Sequence, residues 1–319
     1  MMKAGPGNAP GNTKEIAALR RRILGWYGRN GRSFLWRRTT DPYTILVSEI
    51  MLQQTQASRV EEKLPVFLKK YPTLRTLAKS TKGDVVRAWR GMGYNNRAVR
   101  LRDLARAVLD RHRGRLPSDP AQLDRLPGIG RYTAHAVACF AFRQNVPVVD
   151  VNIHRTLSRI FWRMKDLSER KNPGTVWSLA ERILPDDAWS WNQSVMELGS
   201  TVCTAAKPAC IRCPVRRYCA SSHLERIRSR RSGEVRRGKS EPSYGGIPRR
   251  LWRGRLVEAL RDIGDGRSIS LDDLGKAIKP GFRPRELRWL TGLVDRLADD
   301  GVVRTLRTSG RLRVALSAE

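Results

Sequence analysis

The sequence predicts an all-α protein with a small carboxy-terminal domain of helices and a hairpin. Three observations carry that prediction. Apolar residues recur at spacings of three and four through most of the first 222 residues. No long run alternates apolar and polar residues before residue 300. Pro42, Pro72, Pro117, Pro127, Pro147, Pro173 and Pro185 fall between the periodic segments, where proline sterics favour helix starts and stops.

In chain order, residues 1–13 are rich in Gly, Pro and Asn and carry no apolar run, so they read as a disordered lead-in rather than a secretory signal. Glu15–Tyr27, Val60–Lys70, Asp84–Arg90, Arg97–Arg111 and Val176–Leu184 each present one apolar face and are expected as helices. Ala134–Phe142 is an apolar helix in which Cys139 reads as a small buried hydrophobe. From Arg226 to Arg255 the chain holds 11 basic and 2 acidic residues among Ser, Gly and Pro, the composition of a linker. Periodicity returns in Leu251–Ile263, Leu271–Ile278 and Pro284–Leu297, and Val302–Leu306 and Arg311–Leu316 flank a turn. Three helices and a terminal hairpin resemble a winged helix.

The 319 residues include 62 Lys and Arg against 30 Asp and Glu, a net charge of +32. The surplus is spread over both the helical body and the carboxy-terminal part, which points to surfaces shaped to nucleic acid. Arg249, Arg250, Arg253 and Arg255 are expected as phosphate contacts. With 40% hydrophobic residues a core can form, so wholesale disorder is excluded. No run approaches the ~18 apolar residues of a membrane span, so an intracellular, cytoplasmic and nucleoid-associated protein is expected.

Four of five cysteines lie close together as Cys203, Cys210, Cys213 and Cys219. In a reducing compartment they read as metal ligands rather than disulfides. Zinc and an iron-sulfur cluster both accept four thiolates. Only Cys210 and Cys213 form a short knuckle, and the unequal spacing favours a cubane wrapped by a loop.

Leu126-Pro-Gly-Ile-Gly130 joins two helical segments by a glycine turn whose amides can bind phosphate at a helix amino terminus. Beyond it comes Val148-Val-Asp-Val-Asn152, whose Asp150 reads on spacing alone as a helix cap.

Together, the glycine turn, Asp150 and the cysteine spacing resemble the helix-hairpin-helix DNA glycosylases that carry a [4Fe-4S] cluster. Leu35-Trp-Arg37, Asp41-Pro-Tyr43, Ser48-Glu-Ile-Met-Leu-Gln-Gln-Thr-Gln56 and Gly91-Met-Gly-Tyr94 resemble the MutY-type adenine DNA glycosylases within that group. The resemblance covers residues 15–222. It implies an iron-sulfur domain of residues 14–33 and 148–222 and a six-helix domain of residues 34–147, followed by a basic linker, 223–247, and a winged-helix-like domain, 248–319.

The activity implied is hydrolysis of the N-glycosidic bond of a flipped adenine opposite 8-oxoguanine or guanine in double-stranded DNA, by a monomer. Glu49 would protonate the leaving base, which requires a pKa raised by burial, and Asp150 would stabilise positive charge at the sugar. Asn152 would orient the carboxylate or water. Tyr132 stands where bifunctional relatives place a Schiff-base lysine, so a monofunctional enzyme is expected. Gln54, with Gln53 and Thr55, would fill the hole left by the flipped base, with Met92 and Tyr94 toward the opposite strand. Gly128, Gly130, Arg131 and Thr133 would hold phosphate. Arg32, Trp36, Arg37, Gln193 and Glu197 would wall the base pocket. Cys203, Cys210, Cys213 and Cys219 would hold the cluster. The Nudix-like domain common in this family is not expected here, since the carboxy-terminal residues lack its signature. A thymine or uracil glycosylase acting at G mismatches, and a non-catalytic DNA-binding iron-sulfur protein, are the alternatives.

Overall fold

The computed structural model describes residues 11–318 except 165, 167, 223, 225–240, 265 and 309. The expected lead-in before residue 11 and most of the expected basic linker lie outside the described residues. Among the described residues, eleven α-helices form the body: α1 (Thr13–Asn30), α2 (Pro42–Leu52), α3 (Ala57–Lys70), α4 (Leu74–Lys79), α5 (Lys82–Ala88), α6 (Asn96–His112), α7 (Pro120–Asp124), α8 (Arg131–Phe142), α9 (Val151–Phe161), α10 (Pro173–Arg182) and α11 (Ala188–Thr201). There follow β1 (Ser243–Tyr244), β2 (Ile247–Pro248), α12 (Arg249–Asp262), β3 (Ile269–Ser270), α13 (Leu271–Ile278), α14 (Leu287–Asp299), β4 (Val303–Thr308) and β5 (Arg311–Leu316).

The chain divides into two compact units. Residues 1–45, 118–123 and 130–238 form the first; residues 46–117, 124–129 and 239–319 form the second. In the first, α1 and α9–α11 share a core built from Leu19 and Ile23, from Ile153, Leu157 and Ile160 at helical spacing, and from Val176, Trp191, Val195 and Leu198. Val215, beyond α11, joins the same core and so anchors the cysteine-bearing loop. Asn12 starts α1 by accepting from the Glu15 amide at 2.9 Å, and Asp187 starts α11 by accepting from the Ser190 amide at 3.0 Å.

In the second unit, Thr73 and Thr81 close capping boxes at the starts of α4 and α5, and α4 packs along α6. The carboxy-terminal elements join these helices in one core, where Val86 of α5 and Val99 of α6 meet Trp252, Leu256, Leu290, Leu293 and Val314. The Gly83 amide donates to the Ser317 carbonyl at 2.7 Å, and a Cβ at Gly83 would stand equally close to that oxygen. The order is helix, strand, helix, helix, strand, strand, with an antiparallel sheet β3-β5-β4, so the carboxy-terminal part is a small helical region with a three-stranded sheet.

Ordered structure reaches back into the segment read as linker. Tyr244 and Ile247 pack on the core, Tyr244 stacks on Trp289 at 4.2 Å, and the Trp252 indole donates to the Tyr244 carbonyl at 3.0 Å. Of the arginines expected as phosphate contacts, Arg250 pairs with Glu241, Arg253 pairs with Asp300, and the Arg255 guanidinium lies 4.7 Å from the Trp252 ring centre.

Candidate active site

The approach to Asp150 is fixed from α11. Val148 donates its amide to Asn192 Oδ1 at 3.1 Å, and Asn192 Nδ2 donates to the Val146 carbonyl at 3.0 Å, so an extended stretch without strand partners is satisfied by one buried amide side chain. Asp150 then caps α9 with extended backbone, and its Oδ1 accepts from the Ile153 amide at 2.6 Å. Its Oδ2 accepts from Asn152 Nδ2 at 2.7 Å. Asn152 Oδ1 accepts from Arg155 Nη2 at 2.8 Å, and Arg155 also donates to the carbonyls of Gly199 at 2.7 Å and Cys203 at 2.8 Å. A chain of polar contacts thus runs from the carboxylate to the first residue of the cysteine loop. Burial raises the Asp150 pKa, against the pull of the bonds from Ile153 and Asn152. Asn152 also lies against α11: a Cβ on Gly199 would be 2.8 Å from Asn152 Cβ.

Within the same unit, Gly130 caps α8, and a Cβ there would meet only open space. Its φ of −118° is open to any residue, so no backbone strain calls for glycine. Arg131 follows with its guanidinium 4.0 Å from the Trp177 ring centre. Tyr132 is half-buried and Thr133 is buried.

Arg32 and Arg37 both pair with Glu197. Glu197 is fully buried; Arg32 Nε lies at 2.6 Å and Arg37 Nη2 at 2.9 Å from its oxygens. Burial alone would raise the Glu197 pKa, but the Arg32 hydrogen bond and the Arg37 charge outweigh it and the net shift is downward. Trp36 stacks on Phe34 at 4.7 Å and is buried. Gln193 is buried one helical turn before Glu197.

Cys203, Cys210, Cys213 and Cys219 line one cavity, closed by Thr156, Arg159, Ile160, Leu198 and Val202. Arg159 holds its rim by donating to Cys203 Sγ at 3.7 Å, the Thr204 carbonyl at 2.7 Å and the Ala205 carbonyl at 3.0 Å. Burial pushes the Cys213 thiol up to about 12, and the Cys219 thiol upward as well. Among the described residues no three His, Cys, Asp or Glu side chains are grouped to hold a single ion. Cys139 is buried apart from this loop, accepts from Asn192 Nδ2 at 3.4 Å, and is pushed up to about 11 by burial, as a core thiol.

In the second unit, Glu49 is 4% exposed near the end of α2, away from its first turn. The turn after α2 places Gln54, exposed, at φ +57°, and the loop after α5 places Tyr94, also exposed, at φ +44°. Such left-handed backbone is costly for side chains of this size and persists only where surrounding contacts fix it. Arg97 supplies those contacts. It donates to the carbonyls of Ile50 at 2.9 Å, Met51 at 3.0 Å, Met92 at 2.9 Å and Gly93 at 3.2 Å, to the Gln53 carbonyl, and to Thr55 Oγ1 at 3.1 Å. One guanidinium therefore joins both loops. Met92 is 5% exposed, buried where its neighbour Tyr94 is exposed. Gly128, at φ +79°, is the hairpin glycine whose backbone excludes other residues, with Arg100 Cβ 3.2 Å from where its own would stand.

Residues 47–182 match the model of the HhH-GPD superfamily base excision DNA repair proteins. The chain is 41% identical over 242 residues to a protein of Mycobacterium tuberculosis named adenine DNA glycosylase, covering 75% of this chain and 77% of that one. The chain belongs to the adenine DNA glycosylase family. A Mycolicibacterium smegmatis member is 37% identical over 285 residues, covering 87% of this chain and 92% of its own. A thermostable thymine-DNA glycosylase superposes with a TM-score of 0.61 at 31% identity, over 67% of this chain and 98% of that structure. An endonuclease III structure, at 23% identity and a TM-score of 0.59, shares the fold.

Sequence reasoning missed the residues that hold this family member's site in shape. Asn192, Arg155, Arg159 and Arg97 carry no motif signal, and the arginines merge into a chain full of them. The only sequence hint is that Arg155 and Arg159 repeat at helical spacing on the face of α9 that also carries buried Ser158 and Thr156.

Proposed function

We propose that the protein is a monofunctional adenine DNA glycosylase acting on adenine opposite 8-oxoguanine or guanine in double-stranded DNA. The observation that carries this reading is the Asp150 carboxylate, held by the Ile153 amide and Asn152 and braced through Arg155. A carboxylate fixed at both oxygens resists collapse onto a developing cation, and so acts by electrostatic stabilisation of positive charge at C1′. Glu49 is the acid that protonates the leaving base. Hydrolysis leaves an abasic sugar whose new hydroxyl comes from water. Tyr132 in place of an amine leaves no Schiff base to form.

Gln54 and Tyr94, both exposed on strained backbone, suit insertion into the duplex and contact with the opposite strand. The open amino terminus of α8 at Gly130, with Arg131, suits a phosphate. The paired Arg32, Arg37 and Glu197, with Trp36 and Gln193, form the wall assigned to the base pocket. Four thiols around one cavity, with Arg159 at the rim, fit a [4Fe-4S] cluster better than a single ion. Cys203, Cys210, Cys213 and Cys219 would hold such a cluster through their thiolates, and it would cross-link residues 203–219 next to α9 and α11.

The test is a panel of duplexes carrying A opposite 8-oxoguanine, A opposite guanine, T opposite guanine and U opposite guanine, each followed by alkali. Cleavage of the adenine strands only after alkali is expected. Excision of T or U with adenine untouched would replace this reading with the G-mismatch alternative, and borohydride trapping of the wild-type chain on DNA would overturn monofunctional chemistry.

A further inference from the structure

The carboxy-terminal domain grips the Gly91-Met-Gly-Tyr94 loop at both ends. On one side, Arg90 pairs with Glu258 and with Asp262 of α12, each at 2.8 Å. On the other, Arg261 of the same helix, 8% exposed, donates to Asn95 Oδ1 at 2.8 Å and to the Val86 carbonyl at 2.6 Å. Asn95 occupies the cap position of α6, yet its side chain caps nothing there. Its carbonyl oxygen is directed instead to a guanidinium contributed from 166 residues away. A helix start that forgoes its usual cap for a distant partner ties the local backbone to that partner.

Within the reading of Tyr94 as a contact to the strand opposite the target, we propose that Arg261 is a positioning residue for opposite-base selectivity. In this proposal α12 sets the angle at which the 91–94 loop meets the orphaned base, and the carboxy-terminal domain contributes to recognition without touching that base.

The experiment uses the full chain and two variants. Arg261→Met keeps the apolar stem and removes the donors; Asn95→Ala removes the acceptor at a half-buried position and leaves the core intact. Single-turnover excision of adenine is measured opposite 8-oxoguanine, guanine and cytosine, and amide hydrogen exchange is followed at residues 91–97. Both variants are expected to lose about fivefold of the preference for 8-oxoguanine over cytosine, with the rate on the best pair little changed. Exchange at residues 91–97 should rise by about tenfold. Faster exchange with unchanged preference would overturn the selectivity role. An equal loss on all three duplexes would reduce Arg261 to a merely structural part. Unchanged exchange in a stably folded Asn95→Ala would overturn the brace itself. A wild-type chain that excises no adenine would overturn the functional reading instead, and the exchange measurement would still decide the brace.

Discussion

Around Asp150 and around Gln54 and Tyr94 the protein uses the same device, a buried arginine, to fix different things. Arg155 ends on a side-chain amide that itself holds a carboxylate, so it orients one ionisable group. Arg97 ends on five backbone carbonyls and a hydroxyl, so it fixes the path of two loops rather than the atoms of one side chain. In the proposed roles, a reacting carboxylate needs its atoms placed, whereas a side chain entering a duplex needs a fixed root. Burial lowers the Arg97 pKa to about 10, which leaves it charged at neutral pH among neutral oxygens and the Trp89 and Tyr94 rings, 5.5 and 5.6 Å from its guanidinium.

The largest effect should come from the carboxylate. Asp150→Asn is expected to lower single-turnover excision by about a thousandfold, with DNA affinity by gel shift kept. Because burial raises the Asp150 pKa above its ordinary 3.8, the folded chain binds this proton more tightly than the unfolded chain. Its contribution to stability is then fullest at acid pH and is lost as pH rises through the raised value. Asp150→Asn should therefore melt about 2–4 °C higher than wild type at neutral pH, a gain that vanishes below the ordinary carboxylate range. A lower melting temperature at neutral pH would mean that the lost Asn152 contact outweighs the relieved charge.

Next comes Arg155→Met. Freed of its donor, Asn152 can swing and the carboxylate loses its second anchor, so the excision rate should drop by about a hundredfold with opposite-base preference unchanged. If preference falls along with rate, the two regions are not independent and the contrast between placing atoms and placing backbone is broken.

How much of this was legible in sequence follows the same divide. The four cysteines sit close together in the chain, so spacing alone drew attention to them, whereas Asp150 and Asn152 read on spacing as a helix start and gained a role only through the family resemblance; the amphipathic helices α1, α3, α6 and α10 follow from their apolar faces. Helix α2 does not, because Ile45, Leu46, Val47, Ile50 and Met51 are all buried together with Ser48 and Glu49, and a helix enclosed all round has no amphipathic period. The β1–β2 hairpin was hidden in a basic, glycine-containing segment where Tyr244 and Ile247 are too few to show a pattern. Arg97 and Arg261 were illegible for another reason. Their partners beyond the nearest turn stand 42–47 and 166–175 residues away, and an arginine that collects carbonyls looks in sequence like one facing solvent.

Arg97→Met tests the loop side of the contrast by stability. Several buried carbonyls would lose their donor, and part of that loss is recovered by water reaching the loops, so a destabilisation of about 2 kcal/mol is expected in urea melts. Excision should become less dependent on the opposite base before the rate itself falls. A variant as stable as wild type would show that the loops hold their left-handed residues without the guanidinium.

The smallest effect concerns the outer face of the carboxy-terminal domain, whose inner face grips the 91–94 loop. Arg250 and Arg253 are committed to Glu241 and Asp300, so Gln at either position should leave the salt dependence of DNA binding as it is in wild type. Arg307 and Arg311 face solvent at the facing ends of β4 and β5, the place where a wing can follow a phosphate backbone. Gln at either of these should lower the slope of log affinity against log salt by about one and weaken binding equally on matched and mismatched duplexes. The equality matters more than the size. A loss confined to duplexes with 8-oxoguanine would mean that the hairpin reads damage directly, and the division of this domain into an inner face that positions and an outer face that holds would fail.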